Sequence, residues 1–231
     1  SRPDSTIFGH TVDKVRRKLG KNLSLEKPAP KANVEDKKVV VISVPDSSNT
    51  AALGYVTETI KSNPYVKLEL GLIRSHYIGR TFIQPGQDNR EIKVKSKFNT
   101  VKSVLKDRIV VIVDDSIVRG TTAKQLVKLV KEAGPKEIHL RITSPPIISP
   151  CYYGMDFPSK SELIANQCDR DLEKIREYLD VNSVEYLSLE KLHDSVPQGV
   201  NKHGENISYC DACFSGNYPI PIEEIEKTAF E

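Results

Sequence analysis

Two adjacent carboxylates, Asp114 and Asp115, stand directly before Ser116-Ile117-Val118-Arg119-Gly120-Thr121-Thr122. The apolar, mostly β-branched residues 109–113 precede them, and the helical pattern AKQLVKLVKEAG follows. Strand, tight polar turn and helix in this order gather backbone N–H groups and hydroxyls at a helix N-terminus, where a phosphate is stabilised. The two acids cannot take the phosphate themselves. They suit what is attached to it, either sugar hydroxyls that donate hydrogen bonds or a divalent cation that takes oxygen ligands. A phosphorylated sugar held with Mg²⁺ satisfies every part. As bare structure, the acids would be solvated charge at a strand end and the threonines a helix cap.

A second unit of the same kind occurs earlier. The apolar residues 38–44, KVVVISV, run into Pro45-Asp46-Ser47-Ser48-Asn49-Thr50 and then into TAALGYVTETIK. Its small hydroxyl residues could serve a second anion. A substrate phosphorylated at two ends would use both units. Between them, Arg74, His76, Tyr77 and Arg80 precede a basic run with Arg90, Lys93, Lys95 and Lys97. Far downstream, Cys210-Asp-Ala-Cys213 has the spacing of a metal clamp, and Cys151 is a candidate third thiol. Zinc and iron–sulfur clusters both use such spacing, while a structural reading makes Cys151 a small buried hydrophobe and the pair incidental.

Strands alternating with helices, with the polar turns at strand C-termini, predict an open, parallel or mostly parallel α/β sheet with ligands at those ends. Residues 12–19 place Val12, Val15 and Leu19 on one helical face. The Pro/Lys/Ala stretch after that helix reads as a linker into the core. Residues 94–107 read as a helix, 136–144 as a strand, 169–179 and 188–196 as helices around a short strand, VEYL, and 220–230 as a last amphipathic turn. The 231 residues are 38% hydrophobic and 28% charged, and 34 basic against 31 acidic residues leave +3, too little to argue for nucleic acid. No apolar run approaches the roughly eighteen residues needed to span a bilayer. Four cysteines in this length do not suggest a disulfide scaffold, which favours a reducing compartment. The start at Ser1 reads as a fragment or a processed product.

The phrase DDSIVRGTT resembles the 5-phosphoribosyl 1-pyrophosphate (PRPP) loop of the type I phosphoribosyltransferases, and its wording is close to the glutamine PRPP amidotransferase family. SRPDS, YIGRTFI, PPIISPCYYGMDFPSKSELIAN and CDACFSGNYP resemble phrases of that same family, so the likeness covers essentially the whole chain. It implies the type I phosphoribosyltransferase fold, with a lead-in helix and linker over 1–35, a core over 36–190 and a small extension with the CxxC over 191–231. It further implies that Asp114 and Asp115 hold the ribose hydroxyls and help organise Mg²⁺. Ser116, Val118, Arg119, Gly120, Thr121 and Thr122 would grip the 5′-phosphate, and Ser47 and Ser48 would receive pyrophosphate, with Ser47 on Mg²⁺ and Asp46 a weaker candidate for the ion. Arg74 and Tyr77, with His76 and Arg80, would lie in a loop that closes over the substrate.

The same resemblance assigns Cys151, Cys210 and Cys213 to a structural [4Fe–4S] cluster whose fourth ligand lies outside this chain, and leaves Cys168 a bystander. The implied reaction forms 5-phosphoribosylamine, the first committed step of purine synthesis, with ammonia from an N-terminal glutaminase domain missing here. Implied partners are purine nucleotide inhibitors and further copies in a dimer or tetramer, without nucleic acid or membrane, in the cytoplasm or a plastid. Two other readings share the loop. A salvage phosphoribosyltransferase should hold a base between aromatic residues, and a PRPP-sensing regulator should carry a DNA-binding element. The sequence offers support for neither feature.

Overall fold

The computed structural model describes residues 2–31, 39–75, 97–155, 158–197, 199–200 and 206–222. Its core is a five-stranded sheet of β1 (Val39–Ser43), β2 (Lys67–Leu68), β3 (Ile109–Asp114), β4 (Glu137–Ile142) and β5 (Ser183–Tyr186) in the order β2-β1-β3-β4-β5. Every pairing is parallel. Parallel strands need crossovers, and these cover both faces, so β1 and β3 are apolar along their length instead of alternating with polar residues.

The pleat sorts those residues between two cores. Val40, Ile42, Val110 and Ile112 pack with Leu126, Val127 and Val130 of α3 (Thr121–Lys131) and with Ile175 and Leu179 of α4 (Leu172–Leu179). Val39, Val41, Val111 and Val113 face the other way, against Leu23 of α1 (Val12–Glu26) and Ala51, Ala52 and Tyr55 of α2 (Asn49–Thr59). The last helix of this region, α5 (Leu189–Ser195), packs Leu192 against the second core.

The order of the strands reverses between β1 and β3, since β2 lies on one side of β1 and β3 on the other. The loops after these two strands diverge to opposite faces and leave a crevice at their carboxyl ends. Residue pairing from Val39↔Ile109 to Ser43↔Val113 brings the two strand ends level. Both polar turns singled out in the sequence sit there.

The first helix belongs to this packing more closely than its sequence suggests. Val12, Val15 and Leu19 are only half-buried, whereas Gly20, Leu23 and Ser24 are buried. A Cβ on Gly20 would lie 1.9 Å from the Ala51 carbonyl oxygen, and one on Gly54 would lie 2.1 Å from the Arg17 carbonyl oxygen. The helices therefore cross in backbone contact, with Ser24 Oγ and Thr59 Oγ1 2.7 Å apart at the same interface. The Arg141 guanidinium, 5% exposed, donates to the carbonyls of Lys27 and Pro28 at 3.2 and 3.1 Å and ties the end of α1 to the sheet.

One expected helix is corrected. Residues 94–96 lie outside the described residues; after Lys97, which is helical, Phe98–Thr100 is a strand paired antiparallel with Leu72–Arg74, and the helix resumes only at Lys102–Leu105. Phe98 packs at the margin of the first core, and this pairing with Leu72–Arg74 outweighs the helical spacing. Most of the expected linker, residues 76–96 and the final turn beyond Ile222 lie outside the described residues.

Gly54→Ala tests the crossing directly. Alanine gains up to about 1 kcal/mol of helix propensity. The added methyl meets backbone that cannot swing aside, and overpacking of this kind costs about 1–3 kcal/mol or more. A net loss of stability is expected in urea melts, and a variant as stable as wild type would overturn the close crossing.

Candidate active site

The site forms where the loops after β1 and β3 meet. The loop after β1 passes through a cis Pro45–Asp46 peptide and enters α2 at Ser48. Ser48 is fully buried and donates from Oγ to Asp114 Oδ1 at 3.0 Å, so a hydrogen bond links the two loops directly. Ser47 Oγ lies 3.5 Å from Ser48 Oγ. The Asp115 N–H donates to the same Asp114 Oδ1 at 2.8 Å, and Ser116 Oγ donates to Asp115 Oδ1 at 3.3 Å. Thr143, just past β4, donates its N–H to the Asp114 carbonyl at 2.9 Å.

The turn at residues 116–120 is held from behind. The Ile164 N–H donates to the Val118 carbonyl at 2.9 Å, and Arg119 Nε donates to Glu162 Oε1 at 3.1 Å. Glu162 is itself fixed by the Ser159 N–H at 3.0 Å. Gly120 has φ +76°, and a Cβ there would lie 2.4 Å from Ile164 Cδ1. Only glycine supplies this backbone without strain and without displacing Ile164. From Gly120 the chain enters α3, and a cavity of about 280 Å³ opens between Val44, Phe98, Asp114, Ser116, Thr121 and Thr122.

Nearly all the residues expected around PRPP are thus brought together: Asp114, Asp115, Ser116, Val118, Gly120, Thr121 and Thr122 from one loop, Ser47 and Ser48 from the other. Two are placed differently from the expectation of direct contact. The Arg119 side chain turns to Glu162, so that residue lends its backbone to the turn. Arg74 pairs through Nη1 with Asp46 Oδ2 at 3.1 Å, which ties the strand Leu72–Arg74 to the first loop. Tyr77, His76 and Arg80 lie outside the described residues. Sequence reasoning missed Thr143, Ile164 and the Val44–Phe98 wall. Only the run of small residues after β4, Thr143 and Ser144, hinted at a close approach.

Burial, followed by the Asp115 charge, pushes the Asp114 carboxyl up to about 7, against the opposing hydrogen bonds from the Asp115 N–H and Ser48. Oxygen donors from Asp114, Asp115 and Ser47 are the hard ligands Mg²⁺ takes, and a cation beside them would offset the like charges. The donor set fits this ion.

The thiols lie apart from this centre. The Ile148 and Ser149 N–H groups donate to the Cys213 carbonyl at 2.9 and 3.1 Å, which docks the CxxC segment beside Cys151. Tyr218 Oη donates to the Pro150 carbonyl at 2.6 Å, and the Tyr153 N–H donates to Cys151 Sγ at 3.4 Å. Burial and then the nearby Cys151 push the Cys213 thiol up to about 11, with Cys210 adding to it. All of these thiols are free, yet among the described residues no three His, Cys, Asp or Glu side chains are close enough to hold one metal ion. Cys168 is buried in the first core, away from them.

No family model matches the chain. It is 46% identical over 227 residues, 98% of its length, to a chloroplastic amidophosphoribosyltransferase of Vigna aconitifolia. It is 45% identical over 228 residues to an amidophosphoribosyltransferase of Archaeoglobus fulgidus. Nearly the whole chain is thus similar to one region of the amidophosphoribosyltransferases. Among solved structures, the glutamine PRPP amidotransferase of B. subtilis, complexed with ADP and GMP, superposes with a TM-score of 0.79 at 41% identity over 97% of this chain. The fold is therefore the type I phosphoribosyltransferase fold. The chain spans 43% and 46% of the two amidophosphoribosyltransferases and 46% of the solved chain, under half of each. No helix among the described residues is long and apolar enough to cross a membrane.

The raised Asp114 value gives a stability signature. Below about pH 4 the carboxyl is neutral in both folded and unfolded chains. As pH rises towards 7 the unfolded chain ionises while the folded one resists, so this group increasingly favours unfolding, and the penalty levels off above 7. Asp114→Asn removes it. In EDTA, the melting temperature of Asp114→Asn relative to wild type should climb between about pH 4 and 7 and level off above, and a difference independent of pH would contradict the burial of this charge.

Proposed function

We propose that this chain carries the phosphoribosyl-transfer chemistry of an amidophosphoribosyltransferase, forming 5-phosphoribosylamine from PRPP and glutamine-derived ammonia in the first committed step of purine synthesis. The observation that carries the reading is the Ser48–Asp114 junction, where a hydrogen bond joins two loops that each lead into a helix N-terminus, beside a cavity lined by the second loop and Val44. Residues 116–122 would take the 5′-phosphate on backbone N–H groups and threonine hydroxyls. Ser47 and the start of α2 would take the pyrophosphate end. Asp114 and Asp115 would accept hydrogen bonds from the ribose hydroxyls and hold C1 in line with the incoming nitrogen.

The ammonia lone pair forms the N–C1 bond as the C1–O bond to pyrophosphate breaks and its electron pair stays on that oxygen. The nitrogen then loses a proton, and no electrons are exchanged with a redox partner. Mg²⁺, held by Ser47, Asp114 and Asp115, would supply charge neutralisation at the leaving group. Arg74, paired with Asp46, would add to that field, and Tyr77 is proposed beside it. A developing oxocarbenium-like ribose must be shielded from water, which the loop after Arg74 would provide.

The ammonia would come from a glutaminase region of a longer protein. Purine nucleotides would inhibit by occupying the PRPP site and a neighbouring one. Dimers or tetramers, in the cytoplasm or a plastid, complete the proposal. We also propose the division 1–35, 36–190 and 191–231, with the packing of α1 on α2 making the first boundary one of sequence and not of independent folding.

Turnover is the direct test. Wild type given PRPP, Mg²⁺ and high ammonium should form phosphoribosylamine. Replacing both acids, Asp114→Asn with Asp115→Asn, should cut the rate by about a hundredfold or more, the scale of lost transition-state electrostatics. Absence of PRPP binding by wild type would sink the reading. Tight binding without turnover would favour a sensor.

For the [4Fe–4S] cluster the fit is incomplete, since the three thiols share one region but not one ligand sphere. We propose Cys151, Cys210 and Cys213 as its ligands within this chain, in a structural role. Anaerobic reconstitution with iron and sulfide should give bound iron and visible cluster absorbance in wild type and not in Cys210→Ser/Cys213→Ser. Equal iron retention by that variant would overturn the assignment.

A further inference from the structure

Asp114 and Asp115 are neighbours in sequence but are held very differently. The carboxylate of Asp114 receives two donors on one oxygen, Ser48 Oγ at 3.0 Å and the Asp115 N–H at 2.8 Å, both on Oδ1. Its carbonyl is gripped by the Thr143 N–H at 2.9 Å and Thr143 Oγ1 at 3.3 Å. Among the described residues, Oδ2 carries no hydrogen bond, and Asp114 lines the cavity. The Asp115 carboxylate holds a single longer contact, from Ser116 Oγ at 3.3 Å. One acid is therefore pinned through one of its oxygens, and the other is free to turn.

The pin depends on a side chain that cannot itself serve a ligand. Ser48 is 0% exposed, and its hydrogen is committed to Asp114. Its neighbour Ser47 is only half-buried. Two serines in sequence thus divide the work that resemblance assigned to both.

We propose that Ser48 is a positioning residue: it fixes Oδ1 of Asp114 so that Oδ2 alone faces the ribose end of the substrate, and it couples the pyrophosphate loop to that end. The proposal rests on the PRPP reading of the site. It places Ser48 outside direct contact with the anion. Loss of the hydroxyl acts on ligands only through Asp114, so it discriminates between a ligand that carries ribose and one that does not.

Calorimetric titration of the purified chain, with Mg²⁺ present, separates the possibilities. With Ser48→Ala, affinity for PRPP should fall about tenfold, in keeping with loss of one hydrogen bond to a charged group. Affinity for inorganic pyrophosphate should stay within about twofold, since that ligand makes no ribose contact and Ser47 and Asp115 remain to hold the cation it binds with. Ser48→Thr, which retains the hydroxyl, should recover most of the PRPP affinity. Equal weakening for both ligands would mean that Ser48 acts on the anion or on the cation and not on the ribose end, and no change for either would mean that the pin is idle; both overturn the proposal. A wild-type chain that binds neither ligand would refute the PRPP reading instead. The pin is then judged in ligand-free protein, where the melting shifts of Ser48→Ala and Asp114→Asn should be less than additive in the double variant. Additive shifts would overturn it.

Discussion

The parallel pairing of β1 with β3 is the constraint on which the site depends. These strands are adjacent in the sheet but separated by more than sixty residues in the chain, and their register runs level to Ser43 and Val113. A shift of one residue would turn Val40, Ile42, Val110 and Ile112 away from the first core and exchange the two buried faces. Both faces are apolar, so the register is set by fit: these strands bury Ile42 and Ile112 in one core and only valines in the other, and misplaced volume costs about 1–3 kcal/mol. The register in turn sets the distance between Ser48 and Asp114. A polar contact of 3.0 Å is positioned by apolar residues several ångströms below it.

Helix placement follows from the same sheet. With β1 at the point of reversal, α2 leaves to one face and α3 to the other, so their first turns flank one crevice. Each helix is then locked by a different device. On one face, Gly20 and Gly54 let α1 and α2 meet backbone to backbone. On the other, Ile164 fills the space beside Gly120 and takes the Val118 carbonyl as its partner. The glycines stand where the packing leaves no room for a side chain.

Charge is arranged unevenly over this frame. Asp114 is restrained at its carbonyl and at one carboxylate oxygen, and its burial beside Asp115 resists ionisation. The Asp115 carboxylate holds a single longer contact, and Ser47 is half-buried. A cation and a polyol entering the crevice would find one fixed oxygen to align against and one adjustable acid to close around them. Preorganised partners of this kind need little rearrangement when charge develops on the substrate. The cysteines form a separate region, stapled through the Cys213 carbonyl and Tyr218, and share no contact with the acids among the described residues.

The sequence by itself determined the strand–turn–helix units, because continuous β-branched runs, hydroxyl-rich turns and the 3.6-residue period are local signals. From these the α/β class, both loops and the acids Asp114 and Asp115 were legible, and the wording of DDSIVRGTT pointed to the family. Residues 98–100 were misread as helix because Phe98 finds its burial by pairing with the distant Leu72–Arg74, which local spacing cannot reveal. Val12, Val15 and Leu19 mark one face of α1, but the contact itself is made by Gly20, whose role depends on a carbonyl contributed by α2. Only the tertiary structure decided that Arg119 turns to Glu162, that Arg74 holds Asp46, and that Ser48 and Ser47 differ in burial. Residue type states what a side chain can bond to. Which partner it takes depends on packing between segments far apart in the chain.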